Sequence, residues 1–188
     1  MPRASREASE RTERKLRTQA RRLLVRDGYA ALRLDEVAAA AGVTRGAVYH
    51  HFENKQGLFV AVLADVHASV AAAVAAAATG EGWDAVEAGC VAFLQASLAP
   101  DVRRVLLTDG PAVLGWQEWR RLDAQGSQRL LREGLDALDD LAVDVGAATA
   151  VLSGAMNELA LWLADGGSTD VALATLRHVL HGLRADGR

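Results

Sequence analysis

Apolar residues recur at helical spacing along almost the whole chain. Leu16, Ala20, Leu23 and Leu24 follow one another at steps of four, three and one, which lays a single stripe along a helix expected from about Ser9 to Asp27. Gly28 stands where a helix commonly ends in a left-handed residue. Two short helices are expected at 34–41 and 45–51, and a fourth from near Asn54 through an alanine-rich run to about Ala78. Gly80 and Gly82 then break the pattern. Beyond them the periodicity predicts helices at about 84–98, 101–109, 112–138, 144–165 and 169–185. Pro100 and Pro111 sit at helix starts, Gly166 and Gly167 close one helix, and Ser168 to Asp170 cap the next. Alternating β-branched runs are missing. The expected fold class is therefore all-α, with about nine helices: a small N-terminal unit over residues 1–60 and a larger helical one over 61–188. The boundary is expected inside the fourth helix, near Val60. Residues 1–8 read as a disordered basic tail.

Composition narrows the class. A hydrophobic fraction of 51% suffices for a sizeable core. The single Cys90 excludes an internal disulfide and a cysteine-based zinc site, and it suits a reducing cytoplasm. No apolar stretch follows Arg3 and Arg6 closely enough to make a secretory signal. The longest apolar tract, Phe59 to Ala78, is interrupted by Asp65, His67 and Ser69, so it reads as a buried helix and no membrane is expected. The net charge of −3 hides an asymmetry. Residues 1–60 carry twelve Lys and Arg against seven Asp and Glu, whereas residues 61–188 carry nine against seventeen. A basic head on an acidic body suggests that the head alone meets a polyanion.

The stretch from Leu34 to Phe52 gives that expectation a geometry. Leu34, Val37, Ala38 and Ala41 share one face of a helix, and small Ala38 lets a second helix cross closely. Gly42 falls where the chain must turn sharply through a positive φ. Val43 plugs the turn, Thr44 caps the next helix, and Val48 and Phe52, four apart, point back into the core. Thr44, Arg45, Gly46, Tyr49 and His50 are left on the outer face. This is the pattern of a helix-turn-helix, whose second helix enters the major groove. Arg45 can donate two hydrogen bonds to a guanine edge, and Gly46 permits close approach. Thr44 and Tyr49 can hold phosphates, and His50 can reach a base or a phosphate. Lys55, in the first turn of the following helix, is placed to grip the backbone.

These residues resemble the tetracycline-repressor (TetR) family. Val37 to Phe52 and Asn54 to Leu58 carry the likeness, which extends over roughly residues 14–63. The resemblance implies that Tyr49, His50 and Lys55 are DNA contacts. It also implies an all-helical homodimer whose C-terminal domain binds an inducer and which acts as a repressor. One position departs: the family usually has Thr or Ser before the helix that begins at Leu34, and here Arg33 stands there. Arg33 can contact phosphate but cannot cap as a hydroxyl does, and Asp35 and Glu36 compensate at the helix N-terminus.

The remaining polar residues point to less. Arg11, Arg14, Arg17, Arg21 and Arg22 alternate with Glu7, Glu10 and Glu13, so a salt-bridged face is as good a reading as phosphate contact. His178 and His181 lack a carboxylate or cysteine at matching spacing and read as surface or interface residues. No nucleophile–base arrangement is present, so neither an enzyme nor a metal or cofactor is expected. Aromatic and apolar residues of the second unit, with a few polar ones, suit a pocket for a hydrophobic or aromatic effector: Phe93, Leu107, Trp116, Trp119, Met156, Asn157 and Trp162. Taken singly, each is better explained as core. Val151, Ala155, Leu159 and Trp162 form one stripe and Leu173, Leu176, Leu180 and Leu183 another, which predicts a dimer through the last two helices and hence a palindromic operator. The alternative is a DNA-binding regulator that senses no small molecule.

Overall fold

The computed structural model describes residues 3–185. Ten α-helices and one π-helix account for the regular structure among them: α1 (Arg3–Ala31), α2 (Leu34–Ala41), α3 (Arg45–Phe52), α4 (Lys55–Ala77), α5 (Gly82–Ser97), π1 (Val102–Asp109), α6 (Gly110–Leu114), α7 (Trp116–Asp123), α8 (Ser127–Asp136), α9 (Val145–Ala164) and α10 (Thr169–His181). The chain is all-α, with a single isolated bridge between Leu141 and Arg184. Met1 and Pro2 of the expected tail lie outside the described residues. From Arg3 onward the tail is helical, and Arg6 Nε bonds Glu10 one turn on at 3.1 Å.

Local chemistry explains the head. The backbone of α1 breaks at Gly28 (φ 77°, ψ 172°) and resumes for one turn. Leu16, Ala20 and Leu24 are fully buried on its inner face. Gly42 adopts the left-handed conformation (φ 67°, ψ 36°) between α2 and α3. Thr44 caps α3 by accepting from Ala47 N at 3.3 Å, and Asn54 caps α4 by accepting from Gly57 N at 2.8 Å. Between α3 and α4 the chain makes a tight three-residue turn, in which Asn54 N reaches Phe52 O at 2.5 Å across Glu53 (φ 60°, ψ −50°).

α4 continues without interruption from this head into the body, where α5, π1 and α8 pack against it and α9 packs in turn on α5, π1 and α8. Leu58, Phe59, Leu63 and Val66 on α4 are fully buried, and one contiguous core joins head and body. α4 and α9 are each apolar and long enough to cross a membrane, but their apolar faces supply this core.

Three expectations change. The helix expected at 112–138 is three helices, because Gly115 (φ 78°, ψ 158°) and Gly126 (φ −106°, ψ −122°) reverse the chain. The reversal folds Trp119 beneath Gly110, where its indole N–H donates to Leu106 O at 2.8 Å. The segment expected at 101–109 is wound as a π-helix. The last helix ends at His181, after which Ala142 N bonds Leu183 O at 2.9 Å and Ala185 N bonds Asp140 O at 2.8 Å. Eleven helical segments among the described residues thus replace the expected nine.

Candidate nucleic-acid interface and effector cavity

The second helix of the helix-turn-helix, α3, buries Val48 and Phe52 and leaves Thr44, Arg45, Gly46, Tyr49 and His50 exposed on one side. Arg45 is not idle there. Its guanidinium pairs with Asp35 at 3.2 Å, bonds the Tyr49 hydroxyl at 3.1 Å and lies 5.4 Å from the Tyr49 ring centre. Bonding to Tyr49, then the charge of Asp35, raises its pKa. Gly46 has only the Thr44 hydroxyl near it, so nothing stands between this turn of α3 and an incoming surface.

Lys55 and Arg33 flank this face in different ways. Lys55 Nζ donates to Ala30 O at 3.0 Å and sits 4.5 Å over the Tyr29 ring, so its charge is tethered at the seam of α1 and α4. Arg33 is exposed at the N-cap position of α2, where its side chain makes no cap bond. Asp35, expected to compensate there, is occupied by Arg45. His50 and His51 stand edge to face, 5.4 Å between ring centres.

Helix-one arginines divide by position. Arg17 forms ion pairs with Glu13 at 3.6 Å and with Asp65 of α4 at 3.3 Å, and Arg21 donates to Asp101 at 2.7 Å. Asp109 at the end of π1 accepts from Tyr29 N at 3.0 Å and from Arg104 at 3.3 Å. The Arg104 guanidinium lies where a Cβ on Gly28 would stand. Head and body are therefore tied together by polar contacts at both ends of π1. The partners at both ends of π1 stand 80 residues apart in sequence, and Arg17 and Asp65 stand 48 apart, beyond the reach of any local pattern.

In the body, a cavity of about 830 Å³ opens between α4, α5 and α8. Of the seven residues expected around an effector, Phe93 and Met156 line it. Leu107 is buried on π1, and the Trp119 indole is spent on Leu106 O. Trp116 is 65% exposed and rests against Trp119. Asn157 does not line the cavity and acts instead to favour the charged form of Asp123, whereas Trp162 lines a separate groove between α9 and α10. The sequence reading missed Trp83, Val74 and Val86, which α4 and α5 bring to the wall, and the carboxylates Glu81, Asp139 and Asp140 at the mouth. Nothing local marks them, since only the packing of α5 on α4 and α8 makes them neighbours.

Burial sets the chemistry of three groups. The Cys90 thiol on the cavity wall is pushed up to about 12, by desolvation first and Glu87 second, which leaves it a protonated, unreactive group. His67 on α4 is pushed down to about 4 by desolvation. Asp123 is raised by desolvation, against the pull of Arg120, Ser153, Asn157 and Ser127.

An exposed recognition helix on a basic head, joined by one helix to a body with a cavity, defines a helix-turn-helix regulator. Residues 16–62 match the model of "Bacterial regulatory proteins, tetR family", and residues 83–185 match "Tetracyclin repressor-like, C-terminal domain". A solved TetR-family transcriptional regulator from Pectobacterium atrosepticum is 31% identical over 100% of both chains, with a TM-score of 0.75. The TetC protein of transposon Tn10 from Escherichia coli is 28% identical over 120 residues. That match covers 61% of this chain and 58% of TetC, less than two thirds of the curated relative. RolR, solved with the ligand resorcinol, shares the fold at 16% identity and a TM-score of 0.72, over 96% of this chain and 91% of RolR. The chain belongs to the TetR family of transcriptional regulators.

Proposed function

We propose that the chain acts as a homodimeric repressor that binds a palindromic operator through α3 and releases it when a small apolar or aromatic effector enters the body cavity. The exposed side of α3 carries this reading. Arg45, Tyr49 and His50 project from a helix whose other side, Val48 and Phe52, is locked into the core. Arg45 would read a base edge, while Thr44, Tyr49 and Arg33 would hold phosphates. Lys55 can serve the DNA backbone only by leaving Ala30 and Tyr29, so its contribution is expected to be smaller than that of Arg45.

The cavity supports sensing. It has a largely apolar wall of a size suited to a small molecule, and RolR binds resorcinol on a similar fold. An effector that fits only a conformation with the two α3 helices misplaced would shift the dimer away from DNA, and operator and effector would weaken each other reciprocally. α4, continuous from the Asn54 cap to the Val74 wall, and the polar ties of π1 to α1 are the elements that would carry the shift.

Selection of bound duplexes from a random pool, followed by titration of the selected operator with candidate effectors, tests both halves. A palindromic consensus and release on effector binding are expected. No enrichment at low salt would overturn the operator reading. Unchanged operator affinity with a saturated cavity would overturn the switch.

A further inference from the structure

We propose that the body cavity takes a lipophilic organic cation, and that Arg184 of this chain holds the cation position at the mouth when no such molecule is bound. This rests on the reading of the cavity as the effector site and names the chemical class that fits it. The inner wall is apolar, with Val74, Val86, Phe93, Leu131 and Met156. The mouth carries Glu81, Asp139 and Asp140, and no Lys, Arg or His is among the lining residues. Among the described residues, Glu81 and Asp139 make no hydrogen bond or ion pair, so their charges face the opening uncompensated.

Trp83 adds an aromatic face. Its indole N–H donates to Asp140 Oδ1 at 2.7 Å, which fixes the ring at the rim. The Arg184 guanidinium already lies over that ring, 5.0 Å from its centre, delivered by the pairing of residues 183–185 with 140–142. Arg184 Nε is buried without an acceptor. A charged N–H in that state is desolvated without return, so the stacked position is easily surrendered to a better cation.

The chemistry selects a narrow class. An anion would meet three carboxylates, and a neutral molecule would gain nothing from them. A small inorganic cation finds no clustered donor set among the described residues. A cation wrapped in apolar groups satisfies both ends: its substituents fill the wall, its charge sits among Trp83, Glu81, Asp139 and Asp140, and little hydration is lost.

Calorimetric titration of the full chain with tetraphenylphosphonium, tetraphenylborate and uncharged 4-tert-butylphenol tests this, since the two ions match in size and differ in sign. The phosphonium is expected to bind at least about tenfold more tightly than the borate, with a preference that shrinks as salt rises. Arg184→Ala should tighten phosphonium binding about threefold or more, because a competitor is removed. Glu81→Gln with Asp139→Asn, both at exposed positions, should collapse the preference of phosphonium over the phenol about tenfold. Equal or tighter borate binding, or full phosphonium affinity in the double variant, overturns the proposal. Binding of the phenol alone overturns it while sparing the effector reading. Phosphonium binding that leaves operator affinity unchanged upholds the cation site and sinks the effector reading, and binding of none of the three removes both.

Discussion

In the free chain Arg45 is engaged with Asp35 and Tyr49, so any base contact must begin by breaking that arrangement. Asp35→Asn frees the guanidinium and removes a negative charge from the DNA-facing side. Affinity for duplex DNA should rise about three- to tenfold at low salt, and the gain should fade as salt increases. Arg45→Ala should weaken operator binding by about 1–3 kcal/mol and relax base preference. Anisotropy titrations on operator and random duplexes check both, and equal losses of Arg45→Ala on the two would make Arg45 a phosphate contact. In the body the decisive residue is His67, with both ring nitrogens buried and unpartnered. Its folded pKa of about 4 lies below the ordinary value near 6.5, so the unfolded chain takes up the proton first. Stability is therefore full above about pH 6.5 and falls as pH drops toward 4. Between pH 7.5 and pH 5 this group should cost about 2 kcal/mol of unfolding free energy. Urea midpoints at the two pH values should show that loss, and His67→Leu should remove it. An unchanged pH slope in His67→Leu would assign the loss elsewhere.

The turn between α3 and α4 sets how the recognition helix is presented. A Cβ on Gly57 would fall on the Phe52 carbonyl oxygen, a backbone atom that cannot swing aside. Gly57→Ala should therefore cost about 1–3 kcal/mol of stability, and the folded remainder should bind operator more weakly because α3 has shifted. Gly46→Ala is the contrast. Its Cβ would meet only the Thr44 hydroxyl, at 3.8 Å, so stability should hold or improve. Chemical denaturation of both variants, with operator titration of Gly57→Ala, decides the matter. Elements of this kind were legible in the sequence because their signals are local. Thr44, Asn54 and Ser168 each cap the helix that follows, as their residue types suggest. The run at 112–138 was not legible. Its helical periodicity predicts one helix, whereas in the fold the chain breaks at Gly115 and Gly126 and Trp119 donates its indole N–H to Leu106 O, a partner 13 residues away. The winding of π1 and the contacts of Asp101, Arg104 and Asp109 were hidden for the same reason, since they meet Arg21, Gly28 and Tyr29 of α1.

At the scale of the whole molecule, the sequence exposed the basic head and the helical body but not the cavity, whose wall comes from α4, α5, α8 and α9 together. Within the proposed homodimer, burial narrows the face that the two apolar stripes suggest. Leu176 and Leu180 of α10 are buried within the chain, so they cannot form the second stripe of an interface. What faces outward is Val151 at 60% exposure and Trp162 at 43% on α9, with Val171 at 54% on α10. Between the two helices runs a groove of about 340 Å³, edged by Leu159, Trp162, Thr175 and Val179. In the proposed homodimer, this exposed apolar strip is the surface a two-fold copy would cover. Val151→Glu with Val171→Glu puts charge on this face at positions that carry no weight in the chain's own core. Each charge would meet the partner's apolar surface, and Glu158 already supplies a like charge beside the groove. Sedimentation equilibrium should then give the 19.9 kDa monomer where the parent gives twice that mass. Thermal unfolding of a dilute sample should remain cooperative. An operator with half-sites about 34–36 Å apart should lose at least about a hundredfold in affinity, since binding by one head replaces binding by two. A single half-site should be bound as before, because α3 and its supports are untouched. A double variant that still sediments as a dimer would place the two-fold axis on another face, and the spacing of the recognition helices would have to be reckoned from there.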